Sequence, residues 1–72
     1  MRPYERRQEI LAMLRERSEV RVTELTEVFG VSEGTVRSDL DFLAAQDQIT
    51  RIHGGAASAN THQIGNPAFA AR

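Results

Sequence analysis

The chain has no cysteine and no lysine. It also has no apolar run near the ~20 residues that a helix needs to cross a bilayer. Without cysteine there is neither a disulfide nor a thiolate metal site. The first ten residues carry Glu5 and Glu9 where a secretory signal needs an apolar centre, so a cytoplasmic location is expected. Seventy-two residues allow one small domain. A core of that size is marginal without help from an oligomer, a metal or a disulfide. With nine arginines against ten acids, the net charge of −1 argues against nucleic acid if only the total counts.

Placement counts for more than the total. Arg2, Arg6 and Arg7 gather near the N-terminus, while Glu16, Glu19, Glu24 and Glu27 gather in the middle. If those acids lie on the far side from Arg37 and Arg51, the domain is dipolar and binds DNA only weakly as a monomer.

Residues 22–43, VTELTEVFGVSEGTVRSDLDFL, organise the rest. Leu25, Val28 and Phe29 are spaced i, i+3, i+4, and Val36, Leu40 and Leu43 are spaced i, i+4, i+7. Both are one-faced helix patterns. Gly30 between them suits a helix stop, because it accepts positive φ without a Cβ clash. Val31 is expected to bury a side chain in the turn, and the Ser32 hydroxyl to cap the next helix. So short a link makes the helices cross steeply, as in a helix-turn-helix. With Val36, Leu40 and Leu43 inward, Glu33, Gly34, Thr35, Arg37, Ser38 and Asp41 lie outward or to the side. Arg37 can fork onto guanine, Ser38 can donate or accept, and the Thr35 methyl can touch thymine. Ser32 and the first free amides of the helix can hold a phosphate.

Ahead of this unit, Pro3 suits a first helical turn. A helix is expected from Tyr4 to about Arg17, with Ile10, Leu11 and Leu14 on one face and Met13 beside the core. Ser18 and Glu19 break it. Val20, Arg21 and Val22 alternate as in a very short strand, and Val22 or Thr23 starts the second helix, with Glu24 near its positive end. The third helix is expected over residues 33–45. Gln46, Asp47 and Gln48 form a turn, and residues 49–52 a strand. His53, Gly54 and Gly55 make a flexible turn from which Ala56 and Ala57 return. Three helices and a β-hairpin make an α+β winged helix-turn-helix, with a glycine-rich tip that can approach a DNA backbone or minor groove. Residues 58–65 are small, polar and aperiodic, as in a linker. In residues 66–72 Asn66, Pro67 and the alanines suit the start of a further helix, as if the chain continued into a longer protein. The domain is therefore placed at residues 1–57, with a linker and helix start at 58–72.

Arg7-Gln8-Glu9-Ile10-Leu11, Phe29-Gly30-Val31-Ser32, Thr35-Val36-Arg37-Ser38-Asp39-Leu40 and Arg51-Ile52-His53-Gly54-Gly55-Ala56 occur in that order. Together, over about residues 4–57, they resemble the DeoR family of bacterial transcription regulators. The resemblance implies a winged helix-turn-helix that binds a double-stranded DNA operator, usually as a repressor of sugar or nucleoside catabolism. It also implies a C-terminal domain, outside this sequence, that binds a phosphorylated sugar and forms a homo-oligomer. Three positions depart from the family pattern. Ser38 replaces a second arginine, Thr26 a small alanine, and Gly34 a better helix former.

The candidate DNA-binding set is Arg6, Arg7, Ser32, Glu33, Gly34, Thr35, Arg37, Ser38, Arg51, His53, Gly54 and Gly55. Arg37 is assigned to DNA ahead of a pair with Glu33 or Asp41 on its own helix. Arg6 and Arg7 are assigned to phosphate ahead of a solvated face. Asp39 is a poor DNA contact by charge and is expected to orient an arginine or face solvent. His53 is balanced between wing contact and a plain turn residue, and Tyr4 is expected to pack on the first helix. His53 and His62 lack a carboxylate or cysteine to complete a metal set. Ser32, Asp39 and His53 supply the residue types of a catalytic triad, but Ser32 is spent as a cap and nothing suggests a cleft. No phosphate-binding glycine loop occurs, because Gly54-Gly55 precedes neither a helix nor a lysine. Neither an enzyme nor a cofactor is expected. The rival class is a winged-helix protein–protein module, which would need an apolar patch on the third helix.

Overall fold

A computed structural model describes residues 1–59. The order of elements is α1 (Pro3–Arg17), β1 (Glu19–Arg21), α2 (Val22–Phe29), α3 (Glu33–Ala45), β2 (Ile49–Ile52) and β3 (Gly55–Ser58). The strands form one antiparallel sheet in the order β1-β3-β2. Three helices with a small sheet make the expected α+β winged helix-turn-helix. The pairing of β1 with β3, Val20 facing Ala56, was not anticipated. It turns the hairpin into a three-stranded sheet with its last strand in the middle. β3 runs one residue past the expected boundary at Ala57, since Ser58 pairs with Ile49. The remainder of the expected linker and helix start, residues 60–72, lies outside the described residues.

Each helix stops for a local reason. α1 ends at Ser18, which takes φ +64. α2 ends at Gly30 in the left-handed conformation, φ +66 and ψ +37, with its N–H bonded to the Thr26 carbonyl. A side chain at Gly30 would meet nothing within 4 Å, so backbone conformation alone explains the glycine. α3 ends in a Schellman pattern. Asp47 takes φ +60, its N–H bonds Ala44 O at 2.9 Å, and the Gln48 N–H bonds Leu43 O at 3.0 Å.

The core collects residues from every element. Ile10 and Leu14 come from α1, Val20 from β1, Val22 and Leu25 from α2, Val36, Leu40 and Leu43 from α3, Ile49 from β2, and Ala56 from β3. Three expected core positions differ. Val28 is 55% exposed. Val22, Leu25 and Phe29 define the inward line of α2, and Val28 lies about 60° to the other side of Leu25 at 3.6 residues per turn. Phe29 and Val31 are half-buried and pack against the rim of the core rather than inside it. Both flank the exposed turn at Gly30, so the ring at the last position of α2 is covered on one side only. Tyr4, expected to pack on α1, is 70% exposed, because it stands a full turn and more ahead of Ile10, where the core begins.

Candidate nucleic-acid interface

α3 is the centre of the site. Its N-cap Ser32 has extended backbone, and its hydroxyl accepts from the Thr35 N–H at 3.2 Å, as the sequence requires. Val36, Leu40 and Leu43 face the core, and Glu33, Gly34, Arg37, Ser38 and Asp41 are exposed. Thr35 is half-buried, with its hydroxyl 3.2 Å from that of Ser32. A Cβ at Gly34 would touch only the Ser32 hydroxyl, at 3.8 Å, so nothing in the packing demands glycine there. Arg37 bonds Glu33 at 2.9 Å across one helical turn, with both side chains about half exposed. That is the intrahelical pair weighed against DNA contact. In the exposed geometry the two are compatible, because a surface pair of this kind is held by less than about 1 kcal/mol.

Asp39 is the buried charged residue of the helix, at 1% exposure. One carboxylate oxygen pairs with Arg6 Nε, while the other accepts from Arg6 Nη2 at 3.2 Å and Arg7 Nε at 3.0 Å. Asp39 thus orients arginines, as expected, and it takes two. The consequence for Arg6 is a correction. At 8% exposure and turned onto Asp39, its guanidinium is spent inside the molecule and is not presented to a phosphate. The hydrogen bond to Asp39 outweighs the cost of burial and holds the Arg6 pKa above its ordinary value, so the group stays charged. Arg7 keeps a quarter of its side chain exposed and lies over the Phe42 ring at 4.0 Å. Sequence reasoning missed this stack. The available signal was the spacing, since Phe42 follows Asp39 by three residues and so shares its side of the helix.

The wing is built into the domain rather than hung from it. His53 and Gly54 form its tip, exposed, with Gly54 at φ +77, where a turn needs positive φ. The Gly54 carbonyl accepts from the Val22 N–H at 2.9 Å, which ties the tip to the first residue of α2. Gly55, expected in a flexible turn, is a buried strand residue. A Cβ there would sit 2.1 Å from the Val20 carbonyl oxygen, so the close approach of β1 and β3 explains this glycine. Arg51 reaches from β2 to pair with Asp41 of α3, and its Nε donates to the Gly55 carbonyl at 3.2 Å. That link joins wing to helix. The structure thus brings Glu33, Arg37, Ser38, Asp41 and Arg51 to one side of α3, with His53 and Gly54 at the wing tip. It withdraws Arg6 and Gly55 into the fold. Among the described residues no group of three metal-ligating side chains occurs, and no helix is long and apolar enough to cross a membrane.

Comparison with known proteins places the same unit in a known setting. The DeoR-like helix-turn-helix domain matches residues 6–62. A candidate galactitol utilization operon repressor of Escherichia coli K12 is 46% identical over 57 residues, 79% of this chain and 51% of that protein. The lactose phosphotransferase system repressor of Streptococcus mutans is 48% identical over 63 residues, 88% of this chain and 25% of that protein. The protein of the same name in Staphylococcus aureus is 40% identical over the same length and shares. The chain therefore spans about half the length of one of these relatives and a quarter of the others. No solved structure gives a significant match.

Proposed function

The chain belongs to the DeoR-like helix-turn-helix family, and on that premise we propose that it is the operator-binding unit of a transcription regulator, a repressor of a carbohydrate catabolic operon. The observation that carries this reading is α3 itself. It is capped by Ser32, set against α2 by the left-handed Gly30 turn, and it presents Arg37 and Ser38 outward. Such a helix fits the major groove of duplex DNA. Arg37 is the base-reading side chain, Ser38 and Thr35 are its neighbours on the groove floor, and the α3 amides with Ser32 take a phosphate. Arg7, Arg51, His53 and Gly54 contact the backbone on either side. Ser38, standing where the family pattern has a second arginine, leaves the helix one cation short and shifts weight onto Arg37.

The carbohydrate assignment rests on the relatives, whose names specify galactitol and lactose systems. Oligomerisation and a phosphorylated-sugar effector belong to the same proposal, in a further C-terminal domain of the kind the resemblance implies. The reading is of a binding protein, not an enzyme, working in the bacterial cytoplasm.

The test is fluorescence anisotropy of the 72-residue chain against labelled duplexes, beginning with a mixed-sequence duplex at low salt and continuing with sites enriched from a random library. Binding that weakens steeply with salt is expected, because phosphate contacts release counterions. A chain with no affinity for any duplex at low salt overturns the proposal and returns the fold to the class of protein–protein modules.

A further inference from the structure

Glu33, Arg37 and Asp41 are spaced i, i+4, i+8 along the exposed side of α3, and Arg51 of β2 meets Asp41 from the wing. The result is a line of alternating charge, acid, base, acid, base, along the surface assigned above to DNA. Every arginine on that line is held by a carboxylate of α3. We propose that Glu33 and Asp41 act as internal substitutes for phosphate. They occupy Arg37 and Arg51 when no operator is bound and so depress affinity for DNA of arbitrary sequence. This inference rests on the DNA-binding reading.

The physical argument is one of exchange. An arginine contacts a phosphate only after leaving its carboxylate, and the freed carboxylate then stands close to a polyanion. Arg37 and Glu33 are 56% and 49% exposed, and Asp41 is 68% exposed against 31% for Arg51, whose Nε also donates to the Gly55 carbonyl, so the exchange is cheap at Arg37 and open at the Arg51 Nη1 that Asp41 holds. At an arbitrary site the phosphate only replaces the carboxylate, and the arginine gains little. At the operator, Arg37 exchanges Glu33 for a bidentate base contact worth more than the pair it leaves. The cost of breaking each pair applies at either kind of site, so the acids lower affinity for any duplex, and only a contact worth more than the pair draws the arginine fully away. A chain of net charge −1 with Arg37 and Arg51 already paired has small affinity for bulk DNA.

The exchange leaves a signature in the salt dependence. Each phosphate neutralised by a free cation contributes about 0.9 to the slope of log K against log salt. A cation released from a carboxylate leaves that carboxylate to gather its own counterion, which cancels most of the contribution. The experiment compares this 72-residue chain with Glu33→Gln, Asp41→Asn and Glu16→Gln on one mixed-sequence duplex over a range of salt. Glu16 is exposed about 14 Å along α1 from Arg7, at 1.5 Å per residue, so its removal controls for net charge. Glu33→Gln and Asp41→Asn are expected to raise low-salt affinity roughly two- to five-fold and to steepen the slope by about 0.9 each. Glu16→Gln is expected to leave the slope unchanged. Unchanged slopes for the α3 variants, or an equal change for Glu16→Gln, overturn the inference while leaving the DNA-binding reading intact. A parent chain that binds no duplex overturns both.

Discussion

The two sides of α3 use the same chemistry for opposite ends. On the inner side, Asp39 holds Arg6 in a pair nearly closed to water, with Arg7 at its partly exposed edge. On the outer side, Glu33 and Asp41 hold Arg37, about half exposed, and Arg51, partly exposed, within reach of solvent. The ion pairs match in residue type, and burial separates them. Where water is excluded, a charge that loses its partner has nowhere to turn, so the pairs become part of the architecture. Where water is present, each pair is a provisional arrangement that a phosphate can replace. An ion pair in this fold therefore says little about role until its exposure is known.

The largest test of that contrast is Asp39→Ala. It leaves Arg6 buried without its partner, for which about 3–5 kcal/mol is the usual cost. A domain of this size has about 5 kcal/mol in all, so the variant is expected to be largely unfolded by circular dichroism at 25 °C. Asp39→Asn keeps the shape and one acceptor, and should fall between variant and parent. Glu33→Ala on the outer side should melt within a few degrees of the parent. Equal midpoints for Asp39→Ala and Glu33→Ala would remove the distinction altogether.

Next in size is the apolar part of the inner side. Leu40 is fully buried at the meeting of the three helices, and Leu40→Ala should cost about 2–5 kcal/mol. Phe29 is only half-buried at the rim, so Phe29→Ala should cost clearly less, despite removing the larger side chain. Urea denaturation of the two variants side by side measures the difference. A greater loss at Phe29 would mean that α2 packs its end ring more deeply than the half-buried placement describes.

The helices were legible because their signals are local. The period of Val36, Leu40 and Leu43, the positive φ that Gly30 accepts, and the Ser32 cap each act within a few residues. The bounds of α3 follow from them and agree with the structure. The central place of β3 was not legible. It depends on Gly55, Ala56 and Ala57 being small enough to lie between β1 and β2, a contact made across more than thirty residues. The same limit explains the candidate site. Arg37 and Ser38 follow from the face of one helix. The withdrawal of Arg6 depends on Asp39, thirty-three residues away, and nothing in the run Arg6-Arg7 says which of the two is buried.

The outer side should respond in binding and not in stability. Arg37→Ala removes an exposed pair, so its melting midpoint should stay close to that of the parent. Its affinity for the selected operator should fall by about 1–3 kcal/mol if the guanidinium forks onto a base. Anisotropy on the operator and on a mixed-sequence duplex separates the effects. A loss confined to the operator supports base reading, whereas an equal loss on both assigns Arg37 to phosphate.

The smallest effect comes from an exposed pair away from α3, and it tests whether burial is the whole of the distinction. Glu24 of α2 takes a two-pronged contact from Arg17 at the end of α1, with Nη2 at 2.8 Å from its Oε1. The Arg17 hydrogen bond pulls the Glu24 carboxyl below its ordinary value of 4.5, against the opposing effect of burial. A carboxyl with a depressed folded-state pKa binds protons more readily when unfolded. The stability it adds is therefore present above the unfolded value and disappears as pH falls through the folded one. The parent and Glu24→Gln should thus differ in melting midpoint at neutral pH, with the parent higher, and converge as the pH is taken below about 4. The neutral-pH gap should be far smaller than that of Asp39→Ala, because water reaches this pair and screens it. A gap as large as that of Asp39→Ala would show that two-pronged geometry, and not exclusion of water, decides which carboxylate–arginine contacts hold this fold together.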